Sequence, residues 1–314
     1  MSTPLLVLIL LLCFAGLAKA ADLAVAHVRG LGKKLGLSSF ALGILLGFFT
    51  SAPELFIGIN STIRGISGVS FGNLMGGIVV LFTLVAGVSA VFHRDIDTTH
   101  AVSGWRFLPI GLFFLAPLLF MRDGIIREWE GVVLVLLYGA ILYYLSRLDG
   151  RQLFHVELES GEESERSIGV AVGALVAVMG LAAVIVRVAA ILLARFDIPP
   201  FLGGVVLFAV GTNLPELIVS LQAARKHAAS LSLGNLTGSG AANILIVGAL
   251  SLIKPMTVTN ISLLNPLAIS LTTIIIAFAL LARSEGKLTR QEGILLIVLY
   301  LVTLFGEIAM HEHI

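Results

Sequence analysis

The stretch Thr50–Gly77, TSAPELFIGINSTIRGISGVSFGNLMGG, returns without a gap as Thr212–Ser239, TNLPELIVSLQAARKHAASLSLGNLTGS. Thr50, Pro53, Glu54, Leu55, Ser70, Gly72, Asn73, Leu74 and Gly76 coincide with Thr212, Pro215, Glu216, Leu217, Ser232, Gly234, Asn235, Leu236 and Gly238, each 162 residues further on. An internal repeat of this kind makes two equivalent halves the first expectation. The surroundings of both copies are apolar. Of 314 residues 58% are hydrophobic and 12% charged, and mean hydropathy is +1.04, against about 45–50% and about 25% in soluble domains. Thirty-three glycines recur inside the apolar runs, as they do in closely packed or broken membrane helices. The chain reads as a polytopic membrane protein.

A hydrocarbon core of about 30 Å takes about 20 helical residues to cross. Ten apolar runs meet that demand: Leu5–Ala26, Leu37–Ile63, Val69–Phe92, Ala101–Met121, Gly131–Leu148, Ile168–Leu193, Leu202–Ala224, Ser230–Leu252, Ile261–Ala282 and Gly293–Met310. The fourth is the weakest, with Pro109 and Pro117 in its short core. Five helices separate equivalent positions of the repeat, so the second copy enters the bilayer from the other side. The expected fold is therefore an all-α integral membrane protein of ten transmembrane helices in two inverted-topology five-helix repeats. The halves are 1–148 and 168–314, joined by a hydrophilic linker at 149–167 whose Glu157, Glu159, Glu162, Glu163 and Glu165 read as a solvated face.

Ala18-Lys19-Ala20 resembles a signal-peptidase site, but no Lys or Arg precedes the first apolar run, so that helix is expected to be retained. Lys19 and Asp22 lie on one face of it and can pair. Loops after odd-numbered helices hold thirteen basic residues, Arg29, Lys33, Lys34, Arg94, Arg106, Arg147, Arg151, Arg166, Arg225, Lys226, Arg283, Lys287 and Arg290. The opposite side holds five, Arg64, Arg122, Arg127, Arg195 and Lys254. This bias puts the odd loops in the cytoplasm and both termini outside. The 20 Lys and Arg balance 19 Asp and Glu without a basic tract, so nothing points to nucleic acid. A lone Cys13 excludes an internal disulfide framework.

Each repeat sets Thr-x-x-Pro-Glu in the middle of a long apolar helix. Proline removes a donor and clashes with the preceding turn, so the helix should break there. Freed carbonyls are costly in lipid unless they line a cavity or meet an ion. Glu54 and Glu216 would then face one another near the midplane, and two carboxylates repel unless a cation or proton lies between them. Carboxylate, carbonyl, hydroxyl and amide oxygens are what a hard divalent cation takes. Ser239 and Asn243, four residues apart, share a helix face and can offer oxygens to the same site.

At these residues the sequence resembles the cation/calcium exchanger superfamily, in its prokaryotic sodium/calcium exchanger branch. The repeats follow that family's G-[TS]-S-x-P-E and G-N-x-x-G-S-x-x-x-[ND]. The resemblance implies that Glu54 and Glu216 hold calcium with the carbonyls of Thr50 and Thr212. It implies that Thr50, Ser51, Glu54, Thr212, Asn213, Glu216, Ser239 and Asn243 share the sodium sites, with Gly47 and Ala209 offering carbonyls. It further implies alternating access by sliding of the first and sixth helices over the other eight. Here Phe49 replaces the family glycine, Gly77 a serine and Leu81 an Asn or Asp, while Asn213 stands at a serine position. The expected activity is secondary antiport of calcium for sodium in a prokaryotic plasma (inner) membrane. Proton-coupled divalent cation antiport and cation binding without exchange stand as alternatives. The expected partners are calcium and sodium ions and the lipid bilayer, with no resident cofactor and no obligate protein partner. An intramembrane enzyme is disfavoured: His311-Glu312-His313 lies past the last helix, and no nucleophile–base pair, Walker loop or His-E-x-x-His occurs.

Overall fold

A proline in the first turn of a helix lacks only an amide that would have been unpaired anyway, and this is where Pro53 sits. The computed structural model describes residues 1–34, 39–93, 96–97, 106–148, 165–225, 229–259, 261–284 and 286–311. α1 (Thr3–Lys34) leads to α2 (Ser39–Thr50) and α3 (Ala52–Ile63), one span interrupted at Ser51. α4 (Ser67–Val80) continues through a π-helical turn, Leu81–Val85, into α5 (Ala86–His93). β1 (Ile96–Asp97), α6 (Phe107–Phe120), β2 (Ile125–Ile126) and α7 (Glu128–Leu148) complete the first half. The second begins with α8 (Glu165–Arg195) and a span made of α9 (Pro200–Gly203), a π-helical turn at Gly204–Phe208, α10 (Ala209–Thr212) and α11 (Leu214–Arg225), interrupted at Asn213. α12 (Ala229–Ile253), β3 (Met256–Thr257), α13 (Leu264–Ser284), β4 (Lys287–Leu288) and α14 (Arg290–His311) follow. Both breaks fall at the Thr-x-x-Pro-Glu segments, as the missing donors require.

Among the described residues nine spans are long and apolar enough to cross a membrane. The fourth expected span is represented by α6, whose 14 residues cover only about 21 Å; residues 101–105 of that run lie outside the described set. α1 runs on to Lys34 and α8 starts at Glu165, so Arg29, Lys33, Lys34 and Arg166 are carried on helical backbone rather than in loops. The linker residues 149–164, the Asp22 side chain and the His311-Glu312-His313 side chains also lie outside the described residues. Large apolar side chains such as Leu12, Leu136, Ile269 and Phe305 point outward, as a lipid-facing surface demands.

The protein is the all-helical membrane fold expected, with two short β pairs that hydropathy did not disclose. β1 pairs antiparallel with β4 (Ile96 opposite Leu288), and β2 with β3 (Ile126 opposite Met256). Each pair ties a loop of one half to a loop of the other. Two-residue strands carry no readable periodicity. Ser67, at the start of α4, locks onto β3 by accepting from Thr257 N at 2.9 Å and donating to Thr257 O at 3.0 Å.

The two halves interlock through glycine. α2 crosses α12 so closely that a Cβ on Gly47 would lie 2.5 Å from Asn235 O, and one on Gly238 2.6 Å from Ile44 O. α4 crosses the α9–α10 stretch in the same way, with Gly72 and Gly204 against opposing backbone. Helices in lipid gain little from hydrophobic burial and associate through such close contact. On the flank, Phe82 meets Phe107, Phe114 and Phe278 at centroid distances of 5.0, 5.4 and 5.1 Å. α1 and α8 pack mainly on one another, in a hydrophobic cluster that includes Leu10, Phe14, Leu17, Ala182, Ile185 and Ala189 and is joined by Ile57 of α3, Val69 of α4 and Phe208.

Because the atoms facing Gly238 are backbone, Gly238→Ala should lower stability by about 1–3 kcal/mol, the usual cost of overpacking. Gly306→Ala, where a Cβ meets nothing within 4 Å, should leave the thermal unfolding temperature in detergent unchanged or slightly raised.

Candidate cation site

Breaking a helix creates a new N-terminus, whose unpaired amides and dipole favour an anion. Glu54 lies in the first turn of α3 and Glu216 in the first turn of α11. The two carboxylates are 1% and 0% exposed, and they lie close enough for their charges to act on one another. Glu54 Oε2 and Glu216 Oε2 are buried with no hydrogen-bond partner, and among the described residues neither acid has an ion-pair partner. A buried carboxylate left in this state is strongly unfavourable unless a cation or proton completes it.

The neutral oxygens converge on the same place. Thr50 Oγ1, Ser51 Oγ and Ser239 Oγ all reach Gly47 O, at 3.1, 2.9 and 3.1 Å. Thr50 and Ser239 hydroxyls lie 3.2 Å apart, and Ser239 Oγ donates to Glu216 Oε1 at 3.3 Å. In the other half Thr212 Oγ1 donates to Asn73 Oδ1 at 3.0 Å, Asn213 Nδ2 to Ala209 O at 2.7 Å, and Asn243 Nδ2 to Leu74 O at 2.9 Å. The ten residues singled out in the sequence are thus all buried and meet around the two helix breaks. Among the described residues no cluster of three or more His, Cys, Asp or Glu exists. The candidate site is therefore two acids among hydroxyls, carbonyls and amides, the donor set of a hard cation rather than of zinc.

Two asparagines of the repeat were quoted in the sequence without a role. Asn73 receives Thr212, and Asn235 Nδ2 lies 3.5 Å from both Glu216 O and Ser220 Oγ. Their matched Gly-Asn positions were the available signal. Glu307 on α14, which the sequence reading passed over, is buried with both carboxylate oxygens unpartnered. Leu81 opens the π-helical turn after α4 and is fully buried, and Phe49 stacks edge-on with Phe48 at 5.6 Å.

Known proteins are similar to this chain over nearly its whole length. The family model described as sodium/calcium exchanger protein matches residues 5–147 and 166–308. Sodium/calcium exchanger MaX1 of Methanosarcina acetivorans is 31% identical over 350 aligned residues, covering 95% of this chain and 98% of that protein. Putative antiporter CaxA of Alkalimonas amylolytica is 24% identical, with 90% and 92% covered. A structure of the sodium-calcium exchanger NCX_Mj soaked with sodium and strontium superposes with a TM-score of 0.67 at 26% identity, covering 96% of this chain and 98% of that one.

Thr212→Val keeps shape but leaves Asn73 Oδ1 unpaired in the core, which should cost about 1–3 kcal/mol. Thr83→Val should be nearly neutral, since Thr83 Oγ1 only back-bonds to Val79 O on its own helix. Thermal unfolding of the two variants side by side checks the difference.

Proposed function

The chain belongs to the sodium/calcium exchanger protein family, and from that premise we propose that it is a secondary antiporter in which calcium and sodium take turns between Glu54 and Glu216. The observation that carries the assignment is the buried acid pair, one oxygen of each without a partner, at two opposed helix breaks. A dication satisfies both carboxylates together, and monovalent ions spread over the surrounding hydroxyls and carbonyls satisfy them by number. Competition for the same oxygens makes the exchange obligatory. Calcium and sodium are cargo in this reading, and no resident cofactor takes part. Thr50 and Thr212 contribute their carbonyls to calcium. Ser51, Ser239 and the carbonyl of Gly47 complete a monovalent lobe on one side of the acids, and Asn213, Asn243 and the carbonyl of Ala209 form its counterpart in the other half.

Alternating access is assigned to α1 and α8. They form one hydrophobic cluster, with Phe14 of α1 lying over Gly211 beside the second break and α8 lying along α3. Sliding this pair as a unit would uncover the acids from one side and then the other. The inverted relation of the halves, 1–148 and 168–314 about the 149–167 linker, is supported by the β pairs. Each joins a loop between the third and fourth helices of one half to a loop between the fourth and fifth of the other. This arrangement makes α6 a membrane crossing despite its length. The loop-charge bias supports both termini outside, and similarity to the Methanosarcina acetivorans exchanger supports a prokaryotic plasma membrane.

Calcium uptake into proteoliposomes, with sodium, potassium and proton gradients imposed in turn, tests the assignment, and sodium is expected to drive it. Uptake that ignores sodium and follows pH would transfer the counter-ion role to protons. Glu54→Gln and Glu216→Gln, each removing one charge without changing volume, should cut calcium transport by at least about a hundredfold while the protein remains folded, since breaking a buried charge pair costs about 3–5 kcal/mol. Wild-type rates in either variant would put the ion elsewhere. Cysteines introduced at Asp123 and Lys287 of a Cys13→Ser protein should label from opposite sides of the membrane, outside and inside respectively.

A further inference from the structure

The two halves of the site are not chemically equivalent, and the difference is concentrated at one pair. Under the 162-residue offset Gly47 corresponds to Ala209, Ser51 to Asn213, Gly77 to Ser239 and Leu81 to Asn243. Three hydroxyls lie within hydrogen-bond reach of Gly47 O, one of them Ser239 Oγ from α12 across the crossing, whose single proton can turn to Gly47 O or to Glu216 Oε1. Around Ala209 O the corresponding donor from α4 is absent, because Gly77 has no side chain. At the position equivalent to Ser51, whose hydroxyl donates to Gly47 O, it is the Asn213 amide Nδ2 that donates to Ala209 O, at 2.7 Å.

The amides also fill the space. A Cβ built on Gly77 would lie 3.1 Å from Asn213 Nδ2 and 3.0 Å from Asn243 Nδ2. The orientation of both amides is set by chemistry: the groups they face, Ala209 O and Leu74 O, are carbonyls that only accept. A hydroxyl can rotate its lone pairs toward a cation, whereas an amide N–H2 presents only positive hydrogens. The Asn213 nitrogen therefore occupies one of the two lone pairs of Ala209 O and sets amide hydrogens, which cannot coordinate a hard cation, beside that carbonyl.

We propose that Asn213 is a tethered stand-in for a monovalent cation. Its amide closes the lobe around Ala209, so monovalent cargo is carried in the hydroxyl lobe around Gly47. The protein then moves one fewer monovalent ion per cycle than a chain with serine at both 77 and 213. This rests on the antiport reading above and deepens it, by assigning ion number to the Gly77–Asn213 pair.

The test compares wild type, Gly77→Ser, and Gly77→Ser with Asn213→Ser, each as the full chain in proteoliposomes. Sodium-driven calcium uptake is measured against sodium concentration and against a clamped membrane potential. Gly77→Ser alone should lose uptake by roughly tenfold or more, because the new side chain displaces both amides. Adding Asn213→Ser should restore uptake and raise the Hill coefficient for sodium by about one, since a Hill coefficient is bounded by the number of sites. It should also change the charge moved per cycle by one, seen as an altered response to potential. Wild-type behaviour of Gly77→Ser, or a folded double variant with unchanged Hill coefficient and voltage response, overturns the proposal. If Gly77→Ser aggregates, recovery of a monodisperse, sodium-steeper protein on adding Asn213→Ser supports it, and failure to recover overturns it. Wild-type calcium uptake indifferent to sodium is a separate result: it removes the antiport reading and the stand-in role with it.

Discussion

Two carboxylates held beside one another inside a hydrocarbon slab are the constraint on which the rest of this structure depends. An acid at mid-helix costs about 2.5–3.5 kcal/mol on insertion scales, and two together add their repulsion. The fold offsets part of this by ending a helix under each: Glu54 and Glu216 lie in the first turns of α3 and α11, where the dipole and unpaired amides are worth about 0.3–2 kcal/mol. The Ser239 hydroxyl supplies a further donor to Glu216. The compensation stops short of completion, since Oε2 of each acid has no partner. That shortfall has a functional sense. A site fully satisfied by its own residues would have no affinity left for an ion, whereas one left short by roughly two charges suits the dication of the proposed exchange.

Bringing oxygens from both halves within hydrogen-bond range requires backbones in near contact. Ser239 reaches Gly47 O because Gly43, Gly47, Gly234 and Gly238 let α2 and α12 touch. Any Cβ at these positions would push the donor away from the site. The same close crossing of α4 with α9–α10 puts Asn73 beside Thr212. Site and scaffold are thus one set of contacts: the glycines that permit packing also set ligand distances. The β pairs at the loops tie the halves together again away from this crossing, while α1 and α8 pack in a second cluster that touches the rest through Ile57, Val69 and Phe208.

Much of this was legible in the chain. A Pro-Glu pair inside an apolar run states its own consequence, a broken helix with a charge at the break, because both effects act within a turn of the backbone. The repetition of that pair 162 residues on made the two acids a pair before any coordinates. Spans followed from hydropathy, except that α6, at 14 residues, falls below the length rule. Other features left no local trace. The π-helical turns at Leu81–Val85 and Gly204–Phe208, the two-residue strands and the unpaired Glu307 carboxylate were not readable from periodicity or repeat matching.

The sequence by itself determined that the protein is a helical membrane protein, where two of its helices break and which two acids stand at the breaks, because each of these is decided by neighbours along the chain. Only the tertiary structure decided that Thr212 answers to Asn73, that Ser239 closes on Gly47, and that Asn213 and Asn243 occupy the space beside Gly77. Those partners lie more than a hundred residues apart and meet through the angle and distance at which helices cross. Substitutions that read as a lost hydroxyl at 77 and an odd amide at 213 become, at that crossing, neighbouring parts of one packed surface.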